Sequence, residues 1–136
     1  MEVTVTESVQ LKEKPDEAHL GFGTLFTDYM FIMDYESDKG WHSARIEPYG
    51  PMALDPSTMF LHYAQGAFEG LKAYRTESGR IQLFRPQENF KRLNRSCRRL
   101  CMPELDEAFA LKALKQLLTM EKDWVPSAPE TSLYIR

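Results

Sequence analysis

The chain has 136 residues, 43% of them hydrophobic and 27% charged, enough for one domain with a real core and too few for two of ordinary size. The 17 Lys and Arg against 20 Asp and Glu leave a net charge of −3, a balance that argues against a general nucleic-acid binder. No apolar run approaches the ~20 residues of a membrane span, and the N-terminus lacks the apolar stretch of a signal peptide, so a cytoplasmic protein without membrane contact is expected.

Residues 1–18 are polar and charged, with Lys14-Pro15-Asp16-Glu17 as a breaker cluster, and read as a mobile or peripheral leader. Residues 19–136 then form the domain. Gly21-Phe22-Gly23 allows the backbone to turn or to approach a neighbour closely. Phe26 to Tyr35 is rich in aromatic residues, Met and Ile and predicts a well-buried strand. Glu36 to Gly40 is a hairpin connection, and Trp41 to Ile46 the return strand.

Asp55-Pro56-Ser57 signals a helix start, with a short helix running through Met59 and Tyr63 to about Gly66. Gly66 and Gly70 bracket Ala67-Phe68-Glu69, a passage where the chain changes direction. Leu71 to Arg75 and Arg80 to Phe84 are two strands of a hairpin joined at Ser78-Gly79.

Pro86 opens the next helix, where its pre-set φ fits and its missing N–H costs nothing. Phe90, Leu93, Cys97 and Leu100 give that helix a core stripe. Arg92, Arg95 and Arg99, at i, i+3 and i+7, share another face, amid Lys91 and Arg98. Such a face is either solvated among acidic neighbours or holds an anion. Cys97 and Cys101 form no C-x-x-C and have no second Cys/His pair beside them, so free thiols are expected and no metal site.

Pro103 breaks the chain, Asp106 caps a second helix, and Ala110, Leu114, Leu117 and Leu118 form its apolar stripe. Thr131 to Arg136 reads as a strand. Its two-residue period sends Leu133 and Ile135 to the core, and Tyr134 and Arg136 to water or a polar cavity. Several antiparallel hairpin strands covered by helices on one side make an α+β two-layer domain. The chain stops without a turn or cap signal in what reads as a central strand, so a fragment of something longer is expected.

Five stretches in register carry a family resemblance. They are Gly21-Phe22-Gly23 with Phe26-Thr27-Asp28-Tyr29-Met30; Leu61 to Arg75 with its Phe68-Glu69-Gly70; Leu83-Phe84-Arg85-Pro86 with Asn89 to Leu93; Asp123-Trp124-Val125-Pro126; and Ser132-Leu133-Tyr134-Ile135-Arg136. Together they resemble the branched-chain amino acid aminotransferases, fold-type IV enzymes dependent on pyridoxal 5'-phosphate (PLP). The resemblance covers about Leu20 to Arg136, the small N-terminal domain.

The resemblance implies an enzyme moving amino groups between Leu, Ile or Val and 2-oxoglutarate/glutamate. It implies that Arg92 binds the cofactor phosphate, for which a guanidinium is a planar, always-charged fork of donors. It further implies that Tyr134 helps hold the substrate α-carboxylate, that Arg136 accepts the side-chain carboxylate of glutamate, and that Phe22, Tyr63 and Phe68 line the apolar substrate pocket. On residue type alone, those three aromatics read as ordinary core residues, and Glu69 as able to cap a backbone amide. A homodimer is implied, with small molecules and no nucleic acid as partners.

The Schiff-base lysine is expected beyond Arg136, so no catalytic residue is assigned within these residues and the chain alone is expected to be inactive. Related fold-type IV enzymes, the D-amino acid aminotransferases and aminodeoxychorismate lyases, are the alternative. From another class, the arginine-rich helix could be a nucleic-acid-binding module.

Overall fold

The computed structural model describes residues Met1–Arg136. In chain order the elements are β1 (Thr4–Val5), β2 (Tyr29–Glu36), β3 (Gly40–Pro48), α1 (Met59–Tyr63), β4 (Leu71–Arg75), β5 (Ile81–Leu83), α2 (Pro86–Arg99), α3 (Glu107–Met120) and β6 (Leu133–Ile135). The class is α+β, as the alternation of hairpin and helix signals predicts. The strands form two separate three-stranded sheets, ordered β1-β3-β2 and β5-β4-β6. No helix is long and apolar enough to cross a membrane.

In the first sheet β2 and β3 pair antiparallel, with the register shifting between Ile32 and Asp34, opposite the stretch where Ser43 takes a φ of 52°. β2 starts at Tyr29, later than the Phe26 expected, and its Met30, Phe31, Ile32 and Met33 are half-buried rather than fully enclosed. β1 adds to β3 in parallel, Val5 opposite Ile46. The leader is therefore partly built into a sheet.

It is also tied down by charge. Asp28 accepts the Lys12 amide at 2.8 Å and the Lys14 ammonium at 3.0 Å. Glu17 accepts the amides of Ser127 and Ala128, at 3.0 and 2.7 Å.

The second sheet has β4 at its centre, with Leu71 opposite Ile135, and Ala73 opposite both Leu83 and Leu133. β6 is thus an edge strand, not the central one that its sequence suggests. Ala73, Leu114, Leu118 and Val125 form the core, with Leu71, Leu83, Phe90, Leu133 and Ile135 packed against them. The inward side of β6 is the Leu133/Ile135 side, as the period requires.

The helix signals hold where the cap is local. Pro86 occupies the first turn of α2, and Asp106 Oδ1 accepts from the Ala108 and Phe109 amides at the start of α3. On α2 the stripe of Phe90, Leu93 and Cys97 faces inward, while Leu100 is 39% exposed beyond the last turn. Asn94 on the same helix is buried. Its side chain exchanges hydrogen bonds with the Leu105 backbone, 2.9 Å to the carbonyl and 2.8 Å from the amide, stapling the α2–α3 connection.

α1 is shorter than expected. Asp55 caps Ser57 in a turn ahead of the helix, whose first residue is Met59, and Ala64 at φ 50° ends it before Gly66.

Candidate functional site

Between the two sheets lies a cavity of about 610 Å³. Phe22, Phe26, Phe68, Glu69, Tyr134 and Arg136 all contribute to its wall. Most of the lining is hydrophobic, with Glu69, Glu121 and Arg136 as its charged members. An apolar space with a few converging polar groups is what a small-molecule site requires.

β6 supplies the polar side. The Tyr134 ring lies 5.3 Å, centroid to centroid, from Phe22. The Arg136 guanidinium sits over the Phe26 ring at 5.3 Å, a cation–π arrangement. Tyr134, inside β6, and Arg136, the residue just after it, alternate with Leu133 and Ile135, so this short segment presents a phenol and a guanidinium beside the core. The hydroxyl of Tyr134 reaches over Gly70: a Cβ built there would lie 2.5 Å from it.

Phe22, Tyr63 and Phe68 are not core aromatics. They are 77%, 74% and 69% exposed. Phe22 stands between Gly21 and Gly23, both with positive φ, and Phe68 lies in the irregular passage before β4. Phe22 and Phe68 reach the cavity wall, and Tyr63, at the end of α1, does not.

Arg92 is also outside the cavity lining. It projects from α2 and is joined to the cavity through Glu69. The Arg92 Nε donates to Glu69 Oε2 at 2.6 Å, and Nη2 donates to Oε1. Glu69 Oε1 also accepts from the Gly70 amide at 2.8 Å and from Asn89 Nδ2 at 3.3 Å. Asn89 donates in turn to the Gly70 carbonyl at 3.1 Å.

The guanidinium hydrogen bond, above all, holds the Glu69 carboxyl down at about 2, against the opposing effect of burial. Reciprocally, Glu69 raises the already high pKa of Arg92. Side-on engagement of Nε and Nη2 leaves the terminal Nη1 without an intramolecular partner. That end of the group keeps the paired donors that match phosphate or carboxylate oxygens.

The other bases of α2 are partly neutralised inside the chain. Lys91 pairs with Glu88 at 2.9 Å and Arg98 with Glu104 at 2.6 Å. Such exposed pairs contribute little to stability, but they thin the positive face.

Two further carboxyls are buried. Asp28, 6% exposed, accepts from Lys12, Lys14 and the Trp124 indole, the last at 2.7 Å. Burial pushes its pKa up, but these hydrogen bonds outweigh it and the net shift is down. Glu121, 2% exposed, accepts the Tyr29 amide at 2.5 Å through Oε1, while its Oε2 has no partner. Here burial wins and the pKa is raised. Two local signals point to the Glu69–Gly70 unit: the Gly66/Gly70 bracket, which indicates close approach without saying of what, and Glu69 itself, whose expected capping of a backbone amide is met at Gly70.

No family model matches the chain. Individual proteins do. It is 62% identical over 130 residues to branched-chain-amino-acid transaminase 1 of Bacillus subtilis (strain 168), a match covering 96% of this chain and 36% of that protein. It is 54% identical over 134 residues to a probable branched-chain-amino-acid aminotransferase of Staphylococcus aureus (strain N315), covering 98% of this chain and 37% of that one. The branched-chain-amino-acid aminotransferase of Mycolicibacterium smegmatis is 52% identical over 120 residues, 88% and 33% respectively. The chain therefore spans about a third of the length of the curated relatives it matches.

Proposed function

We propose that this chain, a homologue of the branched-chain amino acid aminotransferases over nearly all of its own length, is the small N-terminal domain of such an enzyme. The reaction is amino transfer between Leu, Ile or Val and 2-oxoglutarate/glutamate, in a homodimer. The observation that carries this reading is the union of an apolar cavity with Tyr134 of β6 and Arg136 just beyond that strand at its wall. Branched side chains need apolar contact, and glutamate needs one cationic partner at the edge.

In this reading Phe22 and Phe68 bound the space for the branched side chain. Tyr134 hydrogen-bonds the α-carboxylate, and Arg136 receives the distal carboxylate of glutamate. Arg136 is held over Phe26 rather than in an ion pair, which leaves its donors free to receive a carboxylate. Tyr63, on α1 outside the cavity, takes its place in the pocket wall only alongside further parts of the enzyme. Exposed Met59, Phe60 and Leu61 on the same helix provide apolar surface for that packing.

The chain's residues fit a PLP phosphate. Arg92 has its Nε edge held by Glu69 and its Nη1 end unpaired, so Arg92 would hold the phosphate. PLP, when bound, supplies the electron sink that lets an amino group leave Cα. The lysine that moves the proton is proposed to lie beyond Arg136, because no lysine of this chain lines the cavity. The pairing of Lys91 with Glu88 and of Arg98 with Glu104 thins the positive face of α2 and favours one gripped phosphate over a nucleic-acid surface.

The test is a substrate panel on the full-length protein, with PLP. Turnover of valine, leucine and isoleucine with 2-oxoglutarate, and none of D-alanine, is the expected result. Turnover by residues 1–136 alone, or a preference for D-alanine, would overturn the reading.

A further inference from the structure

We propose that Glu69 is the positioning residue for Arg92: a carboxylate fixed by the Gly70 amide and the Asn89 side chain grips one edge of the guanidinium and turns the other end towards an anion. The proposal rests on the reading of Arg92 as the phosphate-binding arginine, and it concerns how that side chain comes to be fixed.

Arg92 needs such fixing. Its side chain is 59% exposed on the outer face of α2, whereas that of Glu69 is 9% exposed. A free arginine on a helix surface samples many rotamers, and ordering it costs side-chain entropy. An anion that had to order the arginine itself would bear that cost at binding.

Glu69 removes it in advance. Its carboxylate takes four donors: Arg92 Nε, Arg92 Nη2, the Gly70 amide and Asn89 Nδ2. Asn89 and Arg92 lie three residues apart on α2, so both reach the same carboxylate from one face of the helix. Asn89 is itself anchored on the Gly70 carbonyl at 3.1 Å. The clasp therefore joins the entry to β4 with the second turn of α2, and it specifies which edge of the guanidinium is used. The side-on grip consumes Nε and one Nη2 hydrogen. It leaves the two Nη1 hydrogens and the other Nη2 hydrogen in the planar fork that donates to two phosphate oxygens.

A carboxylate beside an arginine can also oppose anion binding by cancelling its charge. The two effects have opposite signs, so they separate cleanly. If positioning dominates, losing Glu69 weakens phosphate binding; if neutralisation dominates, it strengthens it.

The experiment measures the PLP dissociation constant and the 31P chemical shift of bound PLP in the full-length enzyme and its Glu69→Gln, Glu69→Ala, Arg92→Ala and Glu69→Ala/Arg92→Ala variants. Circular dichroism of each confirms the fold, and Glu69→Gln guards against a packing defect because it keeps the shape of the side chain. Glu69→Gln and Glu69→Ala should each weaken PLP binding about tenfold, the size of one lost charge-assisted contact, and move the 31P signal. In the Arg92→Ala background, removing Glu69 should add nothing further.

Unchanged or tighter binding in the Glu69 variants, with Arg92→Ala still strongly impaired, would overturn the positioning role and leave the phosphate assignment standing. Additive losses in the double variant would also overturn it. Unimpaired binding in Arg92→Ala would instead remove the phosphate assignment itself.

Discussion

Gly70 and Tyr134 are fitted to each other: a Cβ on Gly70 would lie 2.5 Å from the Tyr134 hydroxyl and 3.0 Å from its Cε2. Gly70 has no positive φ, so backbone strain is not what requires glycine there. The requirement is space for the phenol ring, which the β4–β6 ladder brings over the entry to β4 by setting Tyr134 opposite Lys72. Gly70 also gives its amide to Glu69, so the residue serves the phenol and the arginine clasp at once.

Gly70→Ala should cost about 1 kcal/mol, the low end of overpacking, because the clash is with the tip of a half-buried ring that can swing. Urea unfolding of Gly70→Ala, Tyr134→Ala and the double variant checks this. The cost of Gly70→Ala should nearly vanish in the Tyr134→Ala background, since the obstructing ring is gone. A cost that persists there would mean that the backbone, not the ring, opposes a side chain at residue 70.

Glu69 should remain ionised far into acid. Its folded pKa of about 2 is below the ordinary glutamate value, so its contribution is present above that ordinary value and is lost as pH falls through about 2. The carboxyl carbon of Glu69, followed by NMR, should show no titration between pH 6 and pH 3.5, where exposed glutamates titrate (about 4.3). In Arg92→Ala the midpoint should move up, because the guanidinium is the first cause of the depression.

Glu121 should behave in the opposite sense. Burial raises its pKa, so the folded chain keeps a proton that the unfolded chain releases. Its favourable contribution is present below the ordinary glutamate pKa of about 4.3 and is lost as pH rises through the raised folded value. Glu121→Gln keeps an acceptor for the Tyr29 amide and carries no charge. The stability of Glu121→Gln relative to the wild type should therefore grow with pH across that window, by denaturant unfolding at pH 4 to 8. A constant difference would show that Glu121 does not titrate there.

Asp28→Ala should loosen the first eighteen residues. The substitution strands the Trp124 indole N–H and the Lys12 amide, and frees the Lys14 ammonium. Trp124 is half-buried and Lys12 exposed, so each lost bond costs about 1 kcal/mol. Brief trypsin treatment should then cut at Lys12 in the variant well before the wild type, with Lys14 protected by the following Pro15. Glu17→Ala should give a smaller effect, because the Ser127 and Ala128 amides it releases lie in a more accessible loop.

Much of the local architecture was legible in the sequence because its causes are local. Pro86 starts α2 and Asp106 caps α3 within a few residues of the helices they govern. The alternation through Leu133, Tyr134, Ile135 and Arg136 gave the faces of β6, and the hairpin turns gave the pairing partners. α1 is shorter than its helix-like spacing predicts, because the backbone turns left-handed at Ala64.

The site was half legible. Tyr134 and Arg136 stand out by motif and by strand period, and Arg92 by motif alone on a helix with several arginines. Spacing could not reveal that Glu69 holds Arg92 across 23 residues, that Tyr134 needs the bare Gly70, or that Asp28 binds Trp124 across 96 residues and Glu121 binds Tyr29 across 92. Caps, turns and periods report energies set between near neighbours in the chain. Which carboxylate meets which donor, and which is driven to hold its proton, is set by packing and burial, and these arise only when distant segments are folded against one another.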